Sequence, residues 1–523
     1  MNPLQTQTGD YWASHAALTD SDVEQIYNHF LEVERPQTVE QIARVIIAGR
    51  VAEEQNKVRQ VLSGRKVYRP MDAHEVGDEV VFRALKYAHG KVTATREGYD
   101  PRHGQFTVIA VDINGRTREF ASSLPGEHAL NSENGAEADP AGEVDVDELV
   151  ARFGPAVAQG LGRALAGRPE FVRLGRQWFV KELLAEANIG HLHLAEAVLE
   201  VNEGAPLATP DILVHLEMDA GLDPAVREFS LNYALSQDER FDEVGAPGKV
   251  AWALRRLEPE GVRVVPERLR YEPIGYDRSL LSPQLVALER ELDDEWSDLP
   301  SPAEPQATIL SLTYPHRWAG TLPLSARTRP LLPTGTSPRQ RVLLVDEARG
   351  QEMVAWVVQE GRYILGLADW YQEHKIPIGG FISLKPGPET GVVLIGFDER
   401  NPRREWIRLA NVVDNRLTFE NERRSIGCGY DDLMIVGTDY SSALDAFARR
   451  IEANNWSLAS LLNALFAPLA ALNPQDSVHT KTLYSAANMF WRLPPGPLFA
   501  ELVRQPAFRP VGDHYWQMEP GRN

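Results

Sequence analysis

The chain of 523 residues has a single cysteine, Cys428, and no long run of apolar residues. One cysteine excludes an internal disulfide framework and is typical of a reducing compartment, so we predict a cytoplasmic protein. No stretch approaches the ~20 consecutive apolar residues that cross a bilayer, which predicts no membrane partner. The first residues also lack the basic and then apolar pattern of a signal peptide, so none is expected.

Positive charge is scarce as well, because 54 Lys and Arg face 74 Asp and Glu and the net charge is -20. A protein coated with nucleic acid is normally basic, so the overall charge argues against that class. Much of the negative charge lies in two segments, which composition predicts to be linkers. Residues 125–146 are expected to form an acidic disordered linker, and residues 271–306 an acidic, Pro-containing one.

The sequence does contain one spacing that occurs three times, in which a leucine, a phenylalanine, a glycine and a tryptophan follow one another. The copies are Leu165, Phe171, Gly175 and Trp178; Leu235, Phe241, Gly245 and Trp252; and Leu502, Phe508, Gly512 and Trp516. We interpret each copy as a helix, a strand opened by the phenylalanine, a tight turn at the glycine and a returning strand. Such repeats are typical of arrays of binding modules rather than of a single enzyme domain.

This helix-and-wing pattern resembles winged-helix domains. It is similar in particular to the HARE-type helix-turn-helix modules of chromatin proteins, restriction systems and the acidic delta subunit of bacterial RNA polymerase. The repeated Phe, Gly and Trp positions carry the resemblance, together with capped helices such as the one that Thr38 and Gln41 begin. The resemblance implies that the third helix of a module enters the major groove of DNA and that the wing contacts phosphate.

The predicted fold class is therefore α+β multidomain, with several winged-helix modules plus two small β-barrel-like domains. Winged-helix modules are expected over residues 147–189, 190–270 and 439–523, and a degenerate one over residues 1–75, where Leu62 lies six residues before Tyr68. Alternating apolar and polar residues predict a small SH3-like β-barrel over 76–124 and a β-rich pseudo-barrel over 307–438. The second resembles the pseudo-barrel DNA-binding domains of plant transcription factors and some restriction enzymes.

The cations expected to contact nucleic acid lie on the helices and wings of three of these modules. They are Lys57, Arg59, Arg65, Lys66 and Arg69 in the first; Arg163, Arg168, Arg173 and Arg176 in the second; and Arg504 and Arg509 in the last. A solvated helix end explains the first group equally well, because cations also suit the C-terminal helix dipole. In the third module, acids such as Glu228 and Asp238 surround Arg227 and would repel phosphate, so that module is expected to bind protein or to space its neighbours.

A further group of cations lies around Trp406 in the β-rich domain. Arg403 and Arg404 precede this tryptophan, and Arg423 and Arg424 follow it later in the same domain. One interpretation is a basic and aromatic nucleic-acid face. The other is a set of exposed turn residues beside a buried tryptophan.

No catalytic, metal or cofactor site is predicted. Glu373 and Lys375, downstream of Asp346 and Asp369, have the acid-x-lysine spacing of restriction-type nucleases, but the surrounding pattern predicts a helix where that chemistry needs a strand. His191 and His193 have no third ligand nearby. Cys428 between two glycines has no neighbouring histidine, so a buried structural role is favoured over a nucleophile.

The leading hypothesis is a non-enzymatic protein whose winged-helix modules bind DNA weakly and in a salt-sensitive way, in transcription, its regulation or a defence-type system. An alternative is a protein-protein interaction scaffold, which the acidity favours. A second alternative is a Mg²⁺-dependent, restriction-type nuclease.

Overall fold

The fold was analysed in a computed structural model. It describes residues 4–14, 17–62, 65–85, 87–124, 128, 130–131, 144–246, 248–332, 337–389, 391–414, 416–435, 437–438 and 441–519. The chain forms two compact units, one of Met1–Ala187 with Met218–Tyr233 and one of Asn188–Glu217 with Ala234–Asn523. Both units mix helices with sheets, which confirms the α+β class.

The first unit alternates helices with short strands around one longer sheet. Its elements are α1 (Gly9–Ser14), α2 (Asp20–Val33), β1 (Gln37–Thr38), α3 (Val39–Leu62), β2 (Lys66–Val67), β3 (Glu79–Phe82), β4 (Ala88–Asp100), β5 (Gly104–Ile113), β6 (Arg116–Ser122), α4 (Val146–Ala166), β7 (Phe171–Leu174) and β8 (Gln177–Val180). The N-terminus of helix α2 is capped by Thr19 and Asp22. The side chain of each residue accepts a hydrogen bond from the backbone N–H of the other.

Helices α2, α3 and α4 and the strands β7 and β8 build a single apolar core. Phe30 of α2, Ile42 of α3, Leu165 of α4, Phe171 of β7 and Phe179 of β8 all lie in it. Strand β1 completes a three-stranded sheet in the order β1-β8-β7. The structure therefore differs from the predicted division, because residues 1–75 and 147–189 contribute to one module rather than to two.

A five-stranded sheet is inserted into this module between α3 and α4. Its strands follow the order β2-β3-β4-β5-β6, and its core contains Tyr68, Phe82 and Ile109. Tyr68 is thus a core residue of the inserted sheet and not the aromatic of a wing. The prediction of a degenerate winged-helix module with Tyr68 in its wing is therefore wrong. The β-rich segment predicted over 76–124 begins earlier, at Lys66. Most of the predicted linker 125–146 lies outside the described residues.

The second unit has helices at both ends of a central group of strands. Its elements are α5 (Ile189–Val201), β9 (Leu207–Ala208), α6 (Thr209–Leu213), α7 (Pro224–Ser236, which starts in the first unit), β10 (Phe241–Glu243), β11 (Ala251–Leu254), α8 (Glu260–Arg263), α9 (Pro283–Leu292), β12 (Thr308–Ser311), α10 (Tyr314–Ala319), β13 (Thr321–Pro323), β14 (Arg339–Asp346), β15 (Glu352–Val358), β16 (Tyr363–Leu365), α11 (Ala368–Glu373), β17 (Phe381–Pro386), β18 (Val392–Phe397), β19 (Glu399–Val413), β20 (Arg416–Cys428), α12 (Ser441–Ala453), α13 (Leu458–Ala470), β21 (Ser477–His479), α14 (Thr480–Ala487), α15 (Pro495–Arg504), β22 (Phe508–Gly512) and β23 (Tyr515–Met518).

The three copies of the repeated spacing adopt one arrangement. Phe171, Phe241 and Phe508 each open a strand that follows a helix, as the spacing predicts. The sheets that contain them have the orders β1-β8-β7, β9-β11-β10 and β21-β23-β22, so the last strand is central in all three. The leucine, phenylalanine and tryptophan of every copy are buried.

The glycines of the repeat are less uniform than their spacing indicates. Gly175 has a positive φ of 56° at the reversal itself. In the last copy Gly512, with a φ of 106°, ends the strand, and Asp513 and His514 make the turn with φ angles of 47° and 64°. In the middle copy the positive φ belongs to Gly248 instead, at 82°. Gly245 is required for space, because a Cβ there would lie 1.9 Å from the carbonyl oxygen of Lys249.

A seven-stranded sheet forms a half-barrel in the middle of the second unit. The strand order is β12-β17-β18-β14-β15-β16-β13, with β12 and β13 at its edges and one parallel pair, β14 with β18. Its core contains Leu344, Val357, Ile364 and Ile382, together with Trp370 of the short helix α11. The alternation of apolar residues thus predicted the β-rich character of 307–438, although β19 and β20 leave this sheet and form a separate antiparallel pair.

Residues 271–306 are not a linker, and the prediction of one is wrong. Ser282 caps α9 by accepting a hydrogen bond from the N–H of Leu285, and Leu285 and Leu288 pack into the C-terminal core. The acids that follow, Asp293, Asp294 and Glu295, are buried rather than solvated. Composition misleads here because it records the charges of this segment but not the partners that they have in the folded chain.

Arg492 is the central partner of these acids. Its Nη2 lies 2.8 Å from Asp294 Oδ2 and 2.5 Å from Glu295 Oε1. Tyr484 donates to Asp294 at 2.6 Å, and His316 Nε2 lies 3.2 Å from Glu295. Burial would raise the pKa of Glu295, but the charges of Arg492 and His316 outweigh burial and lower this pKa to about 2. Glu295 is therefore ionised, whereas burial raises the pKa of Asp294 despite the nearby charge of Arg492. The cluster joins α9, α10 and the C-terminal helices.

The shared core of the first unit can be tested with Phe179→Ala. Truncating this fully buried ring should lower the free energy of unfolding by about 3–5 kcal/mol. Amide hydrogen exchange should then show lost protection in α2 and α3 as well as in β7 and β8. Leu31→Ala, at a side chain 45% exposed on α2, is the control and should cost below about 0.5 kcal/mol. Unchanged protection in α2 would show that residues 1–75 form a separate core.

The buried ion cluster can be tested with Arg492→Ala. The substitution leaves two carboxylates buried without their cation, so we expect a loss of about 3–5 kcal/mol in calorimetric unfolding. The control is Lys385→Ala, which removes an exposed pair with Glu347 and should cost below about 1 kcal/mol. Equal losses in the two variants would contradict a central role for Arg492.

Candidate nucleic-acid interface

The basic cluster predicted near the end of α3 is largely neutralised by ion pairs. Lys57 pairs with Glu53 at 2.6 Å, Arg65 with Glu79 at 2.9 Å, Lys66 with Asp78 at 2.8 Å and Arg69 with Asp72 at 2.9 Å. The hydrogen bond between Lys66 and Asp78 raises the pKa of the lysine and lowers that of the aspartate. Arg59 lies in the last turn of α3. The structure therefore places most of these cations against carboxylates of the same unit.

Most cations predicted on the other helices and wings are paired in the same way. Arg168 lies 3.2 Å from Asp20, Arg176 lies 3.0 Å from Glu40, Arg504 lies 2.7 Å from Glu501 and Arg509 lies 3.8 Å from Glu519. Arg173 places its guanidinium 5.7 Å from the ring centre of Trp178 and donates to the carbonyl oxygen of Gly175. Arg163 is exposed on α4. These residues remain predicted contacts to nucleic acid. A phosphate group would have to displace a carboxylate to bind most of them.

The nuclease constellation has no open carboxylate pair. Asp346 is buried and accepts hydrogen bonds from Trp370 Nε1 at 2.7 Å and from the N–H groups of Ala348 and Arg349 at 2.9 Å. Burial would raise the pKa of Asp346, but these bonds outweigh it and lower the pKa. Glu373, in the last turn of α11, pairs with Arg349.

The rest of that constellation is equally unsuited to hold a metal. Asp369 is exposed on α11, and Lys375 follows the helix with a positive φ of 52°. His191 and His193 both lie on α5, where His191 helps to cap the helix by accepting from the N–H of Asn188. Across the described residues, no group of three or more His, Cys, Asp or Glu is placed to bind a metal ion.

The arrangement best suited to bind a ligand is the two-stranded ribbon of β19 and β20. The strands pair antiparallel, with Trp406 opposite Arg423, Arg404 opposite Ser425 and Arg408 opposite Asn421. Residues directly opposite one another in a sheet share a face, and alternate residues along a strand do as well. Six side chains therefore lie on one face, which we call the arginine face: Arg404, Trp406, Arg408, Asn421, Arg423 and Ser425.

The two faces of the ribbon differ in their carboxylates. The opposite face, which we call the acidic face, carries Glu405, Glu420 and Glu422 together with Arg403, Arg416 and Arg424. Arg424 pairs with Glu422 at 2.7 Å. The arginine face has three arginines and no carboxylate among its six residues, so it is locally positive in a chain of net charge -20.

The ribbon is anchored through different faces at its two ends. Near the turn, Ala410, Leu417 and Phe419 of the arginine side pack into the C-terminal core. Near the open end, Ile407 and Ile426 of the acidic side pack with Leu409, Cys428, Phe397 and Tyr430. Because the anchored face changes along the ribbon, the arginine face is left exposed only over its open half.

Trp406 is the most unusual residue of this exposed half, because 66% of its surface is accessible. The guanidinium of Arg423 lies 5.7 Å from the centre of its ring. Arg408 donates to the carbonyl oxygen of Asp432, which holds its side chain beside the ribbon. Of the two interpretations of this group, that of turn residues beside a buried tryptophan is wrong, because the residues are paired in strands and the tryptophan is exposed.

Sequence reasoning found part of this face and missed the rest. It noted Arg404, Trp406 and Arg423 but grouped them with Arg403 and Arg424, which belong to the acidic face. It overlooked Arg408, Asn421 and Ser425. Period-two alternation, with Arg, Trp and Arg at 404, 406 and 408 between acidic or apolar residues, was the available signal.

Comparison with known proteins does not add to this assignment. No family model, no curated protein and no solved structure matches the chain. Within the described ranges, no helix has both the length and the apolar character needed to span a bilayer.

Cys428, on the buried side of the ribbon, should be unreactive in the folded protein. Burial and the nearby charge of Asp398 raise the pKa of its thiol to about 11. About one thiol in a thousand is then ionised at pH 8, and thiolate is the reactive form. We expect a thiol-exchange reagent to label the native protein at least ~100-fold more slowly than the urea-unfolded chain. Equal rates would contradict the burial of this end of the ribbon.

Proposed function

We propose that this protein is a non-enzymatic nucleic-acid-binding protein that acts in transcription, its regulation or a defence-type system. The observation that carries the proposal is the arginine face of the ribbon. Three arginines surround an exposed tryptophan there, and no carboxylate on that face competes with a phosphate. Arginine forms bidentate hydrogen bonds with phosphate oxygens, so the face suits a polyanion.

The repeated modules support the proposal through their topology. Each has a short strand, then two helices, then two antiparallel strands of which the last is central in the sheet. This is the connectivity of a winged helix, a fold that commonly places a helix in the major groove. We therefore propose three winged-helix modules: one from α2 to β8 with an inserted sheet, one from α5 to β11 and one from α13 to β23.

The half-barrel supports the same class of function. Its seven strands and its two short helices, α10 and α11, are consistent with the resemblance to pseudo-barrel DNA-binding domains. The module cations that already face carboxylates imply weak binding by each module alone. Several weak contacts on one chain can nevertheless reach useful affinity, because the second contact is made at a high effective concentration.

A protein-interaction scaffold is the competing proposal. It is favoured by the net charge and by apolar side chains exposed on α5, where Leu194 is 48% and Val201 is 83% accessible. These two residues lie seven positions apart, which places them on one side of the helix. The proposal of nucleic-acid binding is preferred because the arginine face combines charge with an exposed aromatic.

The arginine face can be tested with the double variant Arg404→Ala and Arg423→Ala. If both arginines contact phosphate, the slope of log affinity against log salt should fall in magnitude by about 1.4–1.8. Fluorescence anisotropy with labelled oligonucleotides at several salt concentrations measures this slope.

The matched control is Arg403→Ala with Arg416→Ala, which removes two exposed cations from the acidic face of the same ribbon. We expect no more than a small change in slope. A further control replaces Arg65, Lys66 and Arg69 with alanine and should have a smaller effect than the arginine-face variant. If neither single-stranded nor duplex nucleic acid binds at low salt, the scaffold becomes the better proposal.

A further inference from the structure

We infer that the arginine face is a stacking platform for unpaired bases, so that the ribbon binds single-stranded nucleic acid in preference to duplex. The inference rests on the proposed function and specifies the ligand of the same face. Its central residue is Trp406, and the arginines around it supply contacts to the backbone.

The exposure of Trp406 is the first step of the argument. An indole ring has a large apolar surface that is normally buried on folding. The guanidinium of the opposing Arg423 lies 5.7 Å from the centre of this ring, and 66% of the residue's surface is accessible. The residues directly before and after it, Glu405 and Ile407, point to the other face. Trp406 thus makes little contribution to a core, and its accessible ring can bind another planar group.

The positions of the arginines indicate which planar group. Arg404 and Arg408 lie two residues before and after Trp406, which places them about 7 Å away on either side along the strand. Arg423 lies across the ribbon from the same ring. A base stacked on Trp406 would therefore have cations on three sides for its own phosphate and those of its neighbours. Asn421 and Ser425 complete the face with neutral hydrogen-bonding groups.

Unpaired bases fit this arrangement better than duplex does. In a duplex each base face is covered by its neighbours, so a tryptophan would have to intercalate and unstack a base step. A single strand offers free base faces at no such cost, and stacking on aromatic side chains is tolerant of sequence.

The test compares three probes at low and at moderate salt. They are an oligothymidylate of about 15 nucleotides, an oligomer of the same length made of abasic sites, and a duplex of that length. The wild-type protein should bind the oligothymidylate about tenfold or more tightly than the abasic oligomer, which keeps the phosphates but has no bases. It should also bind the oligothymidylate more tightly than the duplex. An oligouridylate of equal length distinguishes RNA from DNA as the source of the single strand.

The variants then assign the preference to one ring. Trp406→Ala should weaken oligothymidylate binding about tenfold or more and leave abasic binding unchanged, while Trp406→Phe should retain most of the affinity. Trp318→Ala is the matched control, because Trp318 is also exposed, at 47%, with the guanidinium of Arg268 5.5 Å from its ring. It should bind all probes as the wild type does. Unfolding midpoints of the variants confirm that each one folds.

Two outcomes separate the platform from the proposed function. If the Arg404 and Arg423 variant weakens binding while Trp406→Ala binds oligothymidylate like the wild type, the stacking platform is overturned and nucleic-acid binding stands. A loss of duplex binding in Trp406→Ala as large as its loss of oligothymidylate binding also overturns the platform, because the preference for unpaired bases would then not belong to this ring. If no probe binds even at low salt, both the platform and the proposed function fail.

Discussion

The second unit depends on the enclosure of three consecutive acids by partners from distant parts of the chain. Asp293, Asp294 and Glu295 are buried, and an isolated carboxylate in a protein interior is strongly unfavourable. Arg492, which neutralises two of them, lies almost two hundred residues later in sequence. The end of α9 therefore becomes stable only when the C-terminal helices have packed against it, which makes the docking of these elements a condition for folding.

That docking also determines where the ribbon lies. The core that contains Leu285 and Leu288 of α9 also contains Ala410 and Phe419 of the ribbon and the apolar sides of the C-terminal helices. The turn end of the ribbon is held there through its arginine side, while the open end is held through its acidic side. Because β-strands twist, a long ribbon can change the face that it buries along its length. The exposed part of the arginine face is a consequence of this change.

The distribution of ion pairs explains how an acidic protein can still present a positive surface. In the inserted sheet and on the wings, cations such as Lys66 and Arg176 face carboxylates and contribute little free charge. On the ribbon, pleating places the three glutamates on one face beside three arginines, and leaves three other arginines on the opposite face without a carboxylate among its six residues. The net charge of a chain therefore says little about a surface only a few residues wide, since Coulomb interactions between exposed groups are screened over about 10 Å.

The local elements and the repeated units follow from the amino-acid sequence alone. Caps such as Thr19 and Ser282, alternation in the half-barrel and the leucine, phenylalanine and tryptophan spacing depend on contacts within a few residues or within one module. Two features depended on partners far along the chain. Nothing near Tyr68 reveals that α3 and α4 share a core across an inserted sheet, and nothing near Asp294 reveals that Arg492 will neutralise it. The alternation around Trp406 was present in the sequence, but it could not show which face of the strand would be covered. Only tertiary packing decided that, because the apolar side chains that cover the acidic face, such as Phe397 and Tyr430, come from outside the two strands.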